Sequence, residues 1–170
     1  MKKLLCFIAS ICMTANVAAQ TTFSFAGLTW GDPIQTVDSK LKAAGFSGCA
    51  MHEKLICKVV ASCSCSFEGP TISSGQATLA HNKVESVYVN VWDLEDTRVV
   101  LKQKYGPPLP RNRDIESDNV SVALSEMLTS RWRSAAGETL VLGRSKSLLY
   151  VSGEKNRKDQ SQDRANKSAF

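Results

Sequence analysis

Four cysteines and one histidine crowd into a short stretch as Cys49-x2-His52, Cys57 and Cys63-x-Cys65. Thiolates with an imidazole are soft ligands suited to Cu(I) or zinc. The spacing nevertheless matches no paired zinc-ligand motif, and no Cys-x-x-Cys opens a helix to lower a thiol pKa for redox work. The competing chemistry is cross-linking, since four thiols are an even number and sufficient for two disulfides.

Hydrolytic chemistry has less to stand on. His52 and His81 are the only histidines. A triad of His52, Asp38 and a neighbouring serine lacks the strained Gly-x-Ser-x-Gly turn that would expose a nucleophile, and His81 sits beside Asn82 in an expected surface turn. Glu53, Glu68, Glu85 and Glu95 fall on separate predicted elements, with no spacing that sets two of them across a scissile bond. No phosphate loop, calcium loop or dinucleotide fingerprint is present. The expectation is a protein that is not an enzyme and carries no cofactor. A further cluster, Arg131, Arg133, Arg144 and Lys146, reads as a candidate protein-binding patch or as the wet face of a sheet packed on one side.

The first residues decide between the readings of the cysteines. Lys2 and Lys3 precede an apolar run from Leu4 to Val17 and a small-residue exit at Val17-Ala18-Ala19, the pattern of a cleaved signal peptide over residues 1–19. Ile11 before Cys12 does not fit a lipidation site. The expected location is the periplasm of a bacterial envelope or outside the cell, where thiols oxidise. Two disulfides are therefore favoured, and a metal site at Cys49, His52, Cys57, Cys63 and Cys65 is the alternative. Cys63 and Cys65 would point to the same strand face, so each is expected to pair with Cys49 or Cys57.

The net charge of +5 falls to +3 without Lys2 and Lys3, and the tail from Glu154 to Phe170 holds +2 of that. The body is nearly neutral, which argues against a nucleic-acid groove. No later run is long and apolar enough to span a membrane.

The elements that must position these residues begin with a short strand from Thr21 to Thr29, leading into a helix. Asp32 is a candidate cap, Pro33 suits the first helical position, Ile34, Val37, Leu41 and Ala44 form one apolar face, and Gly45 is the stop. Leu55–Val60 and Ser62–Phe67 read as strand material, as do Gln76–Ala80 and Val84–Trp92. In the last of these, Val87, Val89 and Val91 share one face. A second helix is capped by Asp93, buries Leu94, Thr97, Leu101 and Tyr105 with Val100 beside them, and stops at Gly106. A polar loop from Pro110 to Asp118 follows. Met127–Arg133, Thr139–Leu142 and Ser147–Val151 are spaced as a meander, with Trp132, Leu140, Leu142, Leu149 and Val151 as core candidates. Trp30 and Trp92 lie at strand-to-helix junctions, where a large side chain plugs a core edge. Residues 154–170 lack periodicity and read as a disordered polar tail.

This order of elements resembles a type of small exported protein built from two helix-plus-meander units, to which β-lactamase inhibitor protein and the small outer-membrane assembly lipoprotein belong. The resemblance rests on Gly27-Leu28-Thr29-Trp30-Gly31-Asp32 with Val37, Leu41 and Gly45-Phe46, on Leu101, Lys104-Tyr105-Gly106 and Pro108, and on the Trp132…Gly137 hairpin. It implies binding of another protein through an exposed sheet face. The expectation is thus one α+β domain over residues 20–153, with two helix-plus-antiparallel-meander units and the helices on one face of the sheet. It would present the other face to an unknown protein partner in the envelope or outside the cell.

Overall fold

The structure, a computed structural model, describes residues 23–109 and 128–168. The signal segment 1–19 and the polar loop 110–118 lie outside the described residues. Helices α1 (Ile34–Ala43) and α2 (Met51–Ile56) precede strands β1 (Ser62–Gly69), β2 (Ile72–Ala80) and β3 (Lys83–Val91). Helix α3 (Leu94–Tyr105) leads to β4 (Leu128–Arg133), β5 (Thr139–Gly143), β6 (Ser147–Val151) and a C-terminal helix α4 (Gly153–Ser168). The strands form one antiparallel sheet in the order β1-β2-β3-β6-β5-β4. Each meander ends at the centre of the sheet, where β3 pairs with β6. The expected α+β class is the observed one.

Strand periodicity sorts the side chains into rows. Cys65, Ala77, Val87, Tyr150, Leu140 and Trp132 are in register across all six strands, and all are buried. The parallel row Phe67, Gly75, Val89, Leu148 and Leu142 completes the core face. A side chain at Gly75 would collide with the Phe67 ring, which lies directly over it. Ile34, Val37 and Leu41 of α1 and Leu101 of α3 close over these rows.

Several local expectations are corrected. Residues 23–30 form turns rather than a strand, because Ala26 (φ 51°) and Gly27 (φ 72°) reverse the chain. This delivers Phe25 against Phe46, Phe67 and Tyr150. Asp32 does not cap α1: its carboxylate accepts from the Thr29 N–H and from Lys40 Nζ, both at 2.7 Å. Pro33 takes the cap position instead, and Asn82 Oδ1 accepts the Ile34 N–H at 3.0 Å from across the fold. Asn82 can do so because the β2–β3 turn is left-handed at both His81 and Asn82, the hairpin geometry that asparagine tolerates. Gly45 ends α1 as expected (φ 85°).

Leu55–Val60 is not a strand, because α2 and the turn after it occupy that stretch. Asp93 caps α3 through the Glu95 and Asp96 N–H groups, but Val100 points outward with Val99. In β6 the buried side chains include Leu148 and Tyr150, and Leu149 is only half-buried. Trp30 packs against the core, whereas Trp92 is exposed and plugs nothing.

The expected disordered tail is corrected as well, since residues 153–168 form α4. Ser152 Oγ accepts the Lys155 N–H at the helix start, and Lys155–Asp159 and Glu154–Lys158 pair one turn apart. A helix without an apolar face can be held by such caps and pairs.

Candidate binding surfaces

The cysteines form Cys49–Cys65 and Cys57–Cys63, each bridging the segment after α1 to β1. Cys63 and Cys65 both face the core side of β1, and neither bonds the other, as the shared strand face requires. All four sulfurs are therefore engaged, and the metal reading lacks the free thiolates it needs. No group of three or more His, Cys, Asp or Glu side chains among the described residues is arranged to hold a metal. His52 and His81 are both exposed.

Asp38, the carboxylate a triad would require, is committed elsewhere. It accepts from the Cys49 N–H at 2.9 Å and from Lys42 Nζ and Lys54 Nζ at 3.0 and 3.3 Å. Burial pushes its carboxyl pKa up, but the Lys42, Cys49 and Lys54 hydrogen bonds outweigh burial and hold it below the ordinary aspartate value. Asp38 thus ties α1 to the start of the stapled segment and to α2.

Glu53 performs the corresponding task on the other side. One oxygen bends back to the Ala50 N–H and the other takes the Ser66 N–H of β1, at 2.9 and 3.0 Å. Ser47 adds a bond in each direction with Glu68. Together these groups occupy the outer edge of β1, where an open strand would invite pairing with another chain.

Beside the exposed His52 and Lys58, the stapled segment presents apolar side chains outward. Val59 is 82% exposed, Met51 69% and Leu55 57%, and Ile56 and Val60 are also exposed. The backbone beneath them is well ordered: Cys57, Lys58, Val59 and Val60 N–H groups bond back to Glu53, Leu55 and Ile56 carbonyls. This knuckle protrudes from the β1 edge.

The sheet face opposite the helices changes character along its width. The row Ser66, Gln76, Tyr88, Leu149, Val141, Arg131 runs from exposed at β1 to buried at β4. The neighbouring row Ser64, Thr78, Ser86, Val151, Thr139 is half-buried on β1 and β2 and buried beyond. Helix α4 lies at the buried end, where Asn156 Nδ2 donates to Gly137 O and Thr139 Oγ1 and Lys158 pairs with Glu85. The hydrogen bond from Lys158 to Glu85, then that to Glu154, raises the lysine pKa, and Glu154 is correspondingly lowered by Lys158. The face is therefore wet only over β1–β3.

This corrects the basic patch. Arg131 is buried, Arg133 is exposed at the Thr139 end of β4, and Arg144 and Lys146 sit in the β5–β6 turn at the opposite end of the strands. Lys146 Nζ reaches Trp92 O at 3.0 Å. The four cations form no common surface.

One residue absent from the sequence reading is central to the fold. Glu138 is buried, and its two oxygens accept the Phe23 N–H and the Trp30 Nε1–H, each at 2.6 Å. It fastens the segment before α1 to the β4–β5 hairpin. No signal in the sequence separates it from the other glutamates, because its partners lie more than a hundred residues away in the chain.

The two disulfides suit an oxidising compartment, and no helix among the described residues is long and apolar enough to cross a membrane. No family model, curated protein or solved structure matches the chain.

Proposed function

We propose that this chain is an exported bacterial envelope protein that acts by binding another protein, without catalysis of its own. The signal pattern at residues 1–19 directs it to the periplasm or beyond, and the disulfides keep it folded there. The contact surface is the open half of the sheet face on β1–β3, not the arginine patch. The observation that carries this reading is Tyr88, which is 40% exposed in the middle of that face. Its hydroxyl bonds to Asn90 Oδ1 at 2.9 Å, and Asn90 Nδ2 bonds to Ser74 Oγ at 2.8 Å. A rigid aromatic ring held on an ordered surface by hydrogen-bonded neighbours is the kind of residue on which protein interfaces concentrate their energy. The type of exported protein that this order of elements resembles binds its targets in the same way.

The test is site-specific photo-crosslinking in the envelope, with the reactive group placed at Tyr88 or Gln76, or at Gln103 on the outer side of α3 as a control. One protein crosslinked from both sheet positions and not from Gln103 supports the reading, as does its loss with Tyr88→Ala when the group is at Gln76. Equal crosslinking from all three positions, or none from the sheet, overturns it.

A further inference from the structure

From the knuckle at the β1 edge we infer that this protein also docks onto an anionic lipid surface, with Met51, Leu55, Ile56, Val59 and Val60 entering the headgroup boundary. Three observations carry this beyond the protein-binding reading, which uses a different face.

The first is the arrangement of charge. Within the stretch from Met51 to Ala61 the only acid is Glu53, and both its oxygens accept backbone N–H groups, those of Ala50 and Ser66. Lys58 is exposed among the apolar side chains, and Lys54 stands behind them on Asp38. A surface with outward apolar groups, an exposed lysine and its one carboxylate already engaged by backbone N–H groups complements a negatively charged interface.

The second is area. The exposed apolar patch covers on the order of a few hundred Å², the size at which a patch marks a protein or membrane contact. A lipid boundary needs no matching surface, and each side chain that enters it contributes separately.

The third is rigidity. Cys49–Cys65 and Cys57–Cys63 hold both ends of the segment to β1, so the apolar side chains cannot fold back onto the core. The same staples hold them in one projecting group.

The experiment is vesicle flotation of the mature, disulfide-intact protein, using phosphatidylcholine vesicles with and without phosphatidylglycerol at low and high salt. The expected result is binding that requires phosphatidylglycerol and weakens with salt. Val59→Asp should lower the bound fraction roughly tenfold or more, and Lys58→Glu should lower it several-fold. Both positions are exposed, so the fold should persist, and unchanged far-ultraviolet circular dichroism with intact disulfide mass would establish that it does. In Leu55→Trp, quenching of the introduced indole by brominated acyl chains should place it within the lipid boundary. No flotation of the parent protein overturns the inference, as does flotation unchanged by Val59→Asp. A dimer in sedimentation that Val59→Asp dissociates, without flotation, would assign the knuckle to self-association instead. The Tyr88 crosslinks are read separately, so either proposal can fail alone.

Discussion

The knuckle and α4 are opposite solutions to keeping a segment ordered outside the core. The knuckle carries five exposed apolar side chains, anchored by two disulfides and by Asp38 and Glu53. Helix α4 has no apolar face and is held by a Ser152 cap, turn-spaced ion pairs, and the Asn156 and Lys158 contacts to the sheet. The difference shows that exposure here is not a sign of disorder. Covalent closure lets a segment display groups that would otherwise seek the core, whereas a segment held by exposed ion pairs must remain polar throughout.

The sharpest way to break the comparison is to remove the staples one at a time. In the chain-entropy picture, closing the loop of separation 16 contributes about 3 kcal/mol and the loop of separation 6 about 2 kcal/mol. Replacing Cys49 and Cys65 by alanine should therefore lower unfolding stability by about 1 kcal/mol more than replacing Cys57 and Cys63, measured by urea titration. Limited proteolysis should then cut within residues 50–61 before any site in α4. Equal losses from the two pairs, with the knuckle still resistant, would mean that the hydrogen bonds of Asp38 and Glu53 hold it unaided.

What the sequence disclosed about these regions follows from the range over which each signal acts. The strands of both meanders were legible because alternation is local, as in Val87, Val89 and Val91. That Cys63 and Cys65 would not pair with each other was legible because two residues apart on a strand means one face, whereas which of them bonds Cys49 and which Cys57 was not. Leu55–Val60 misled because Ile56, Val59 and Val60 are apolar and β-branched, the composition of a strand. Cys49 and Cys57 must both reach β1, and that distant constraint favours a short helix and turn. In α4 the Ser152 cap and the Glu154–Lys158 and Lys155–Asp159 spacings were present in the sequence, but the missing apolar stripe outweighed them. The division of the sheet face was beyond reach, because it depends on long-range contacts such as that of Asn156 with Thr139.

A smaller effect should come from Asp38, the polar anchor of the knuckle. Asp38→Asn keeps the shape but weakens three charge-assisted bonds, and an expected loss of about 1–2 kcal/mol follows. The pH dependence has a definite sign. The folded pKa of Asp38 lies below its unfolded value of about 4, so its contribution is complete above that value and disappears as pH falls through the folded pKa. Stability measured from pH 6 downward should therefore decline more steeply in the parent than in Asp38→Asn. Parallel curves would show that Asp38 does not couple α1 to the stapled segment.

The smallest effects belong to α4, and they test the polar side of the comparison. Asn156→Ala removes the two amide bonds to Gly137 O and Thr139 Oγ1, and about 1 kcal/mol of local stability should go with them. The loss should appear as faster amide exchange in α4 and at the strand positions it covers, with the urea midpoint of the sheet nearly unchanged. Lys158→Ala should do less, and its effect should vanish in high salt, because the pairs with Glu85 and Glu154 lie at the surface. Because α4 covers part of the sheet face, exchange at Thr139 and Val151 should rise with it in Asn156→Ala. If those strand amides stay protected while α4 opens, the buried half of the face is not held by the helix, and the contrast between its two halves has another origin.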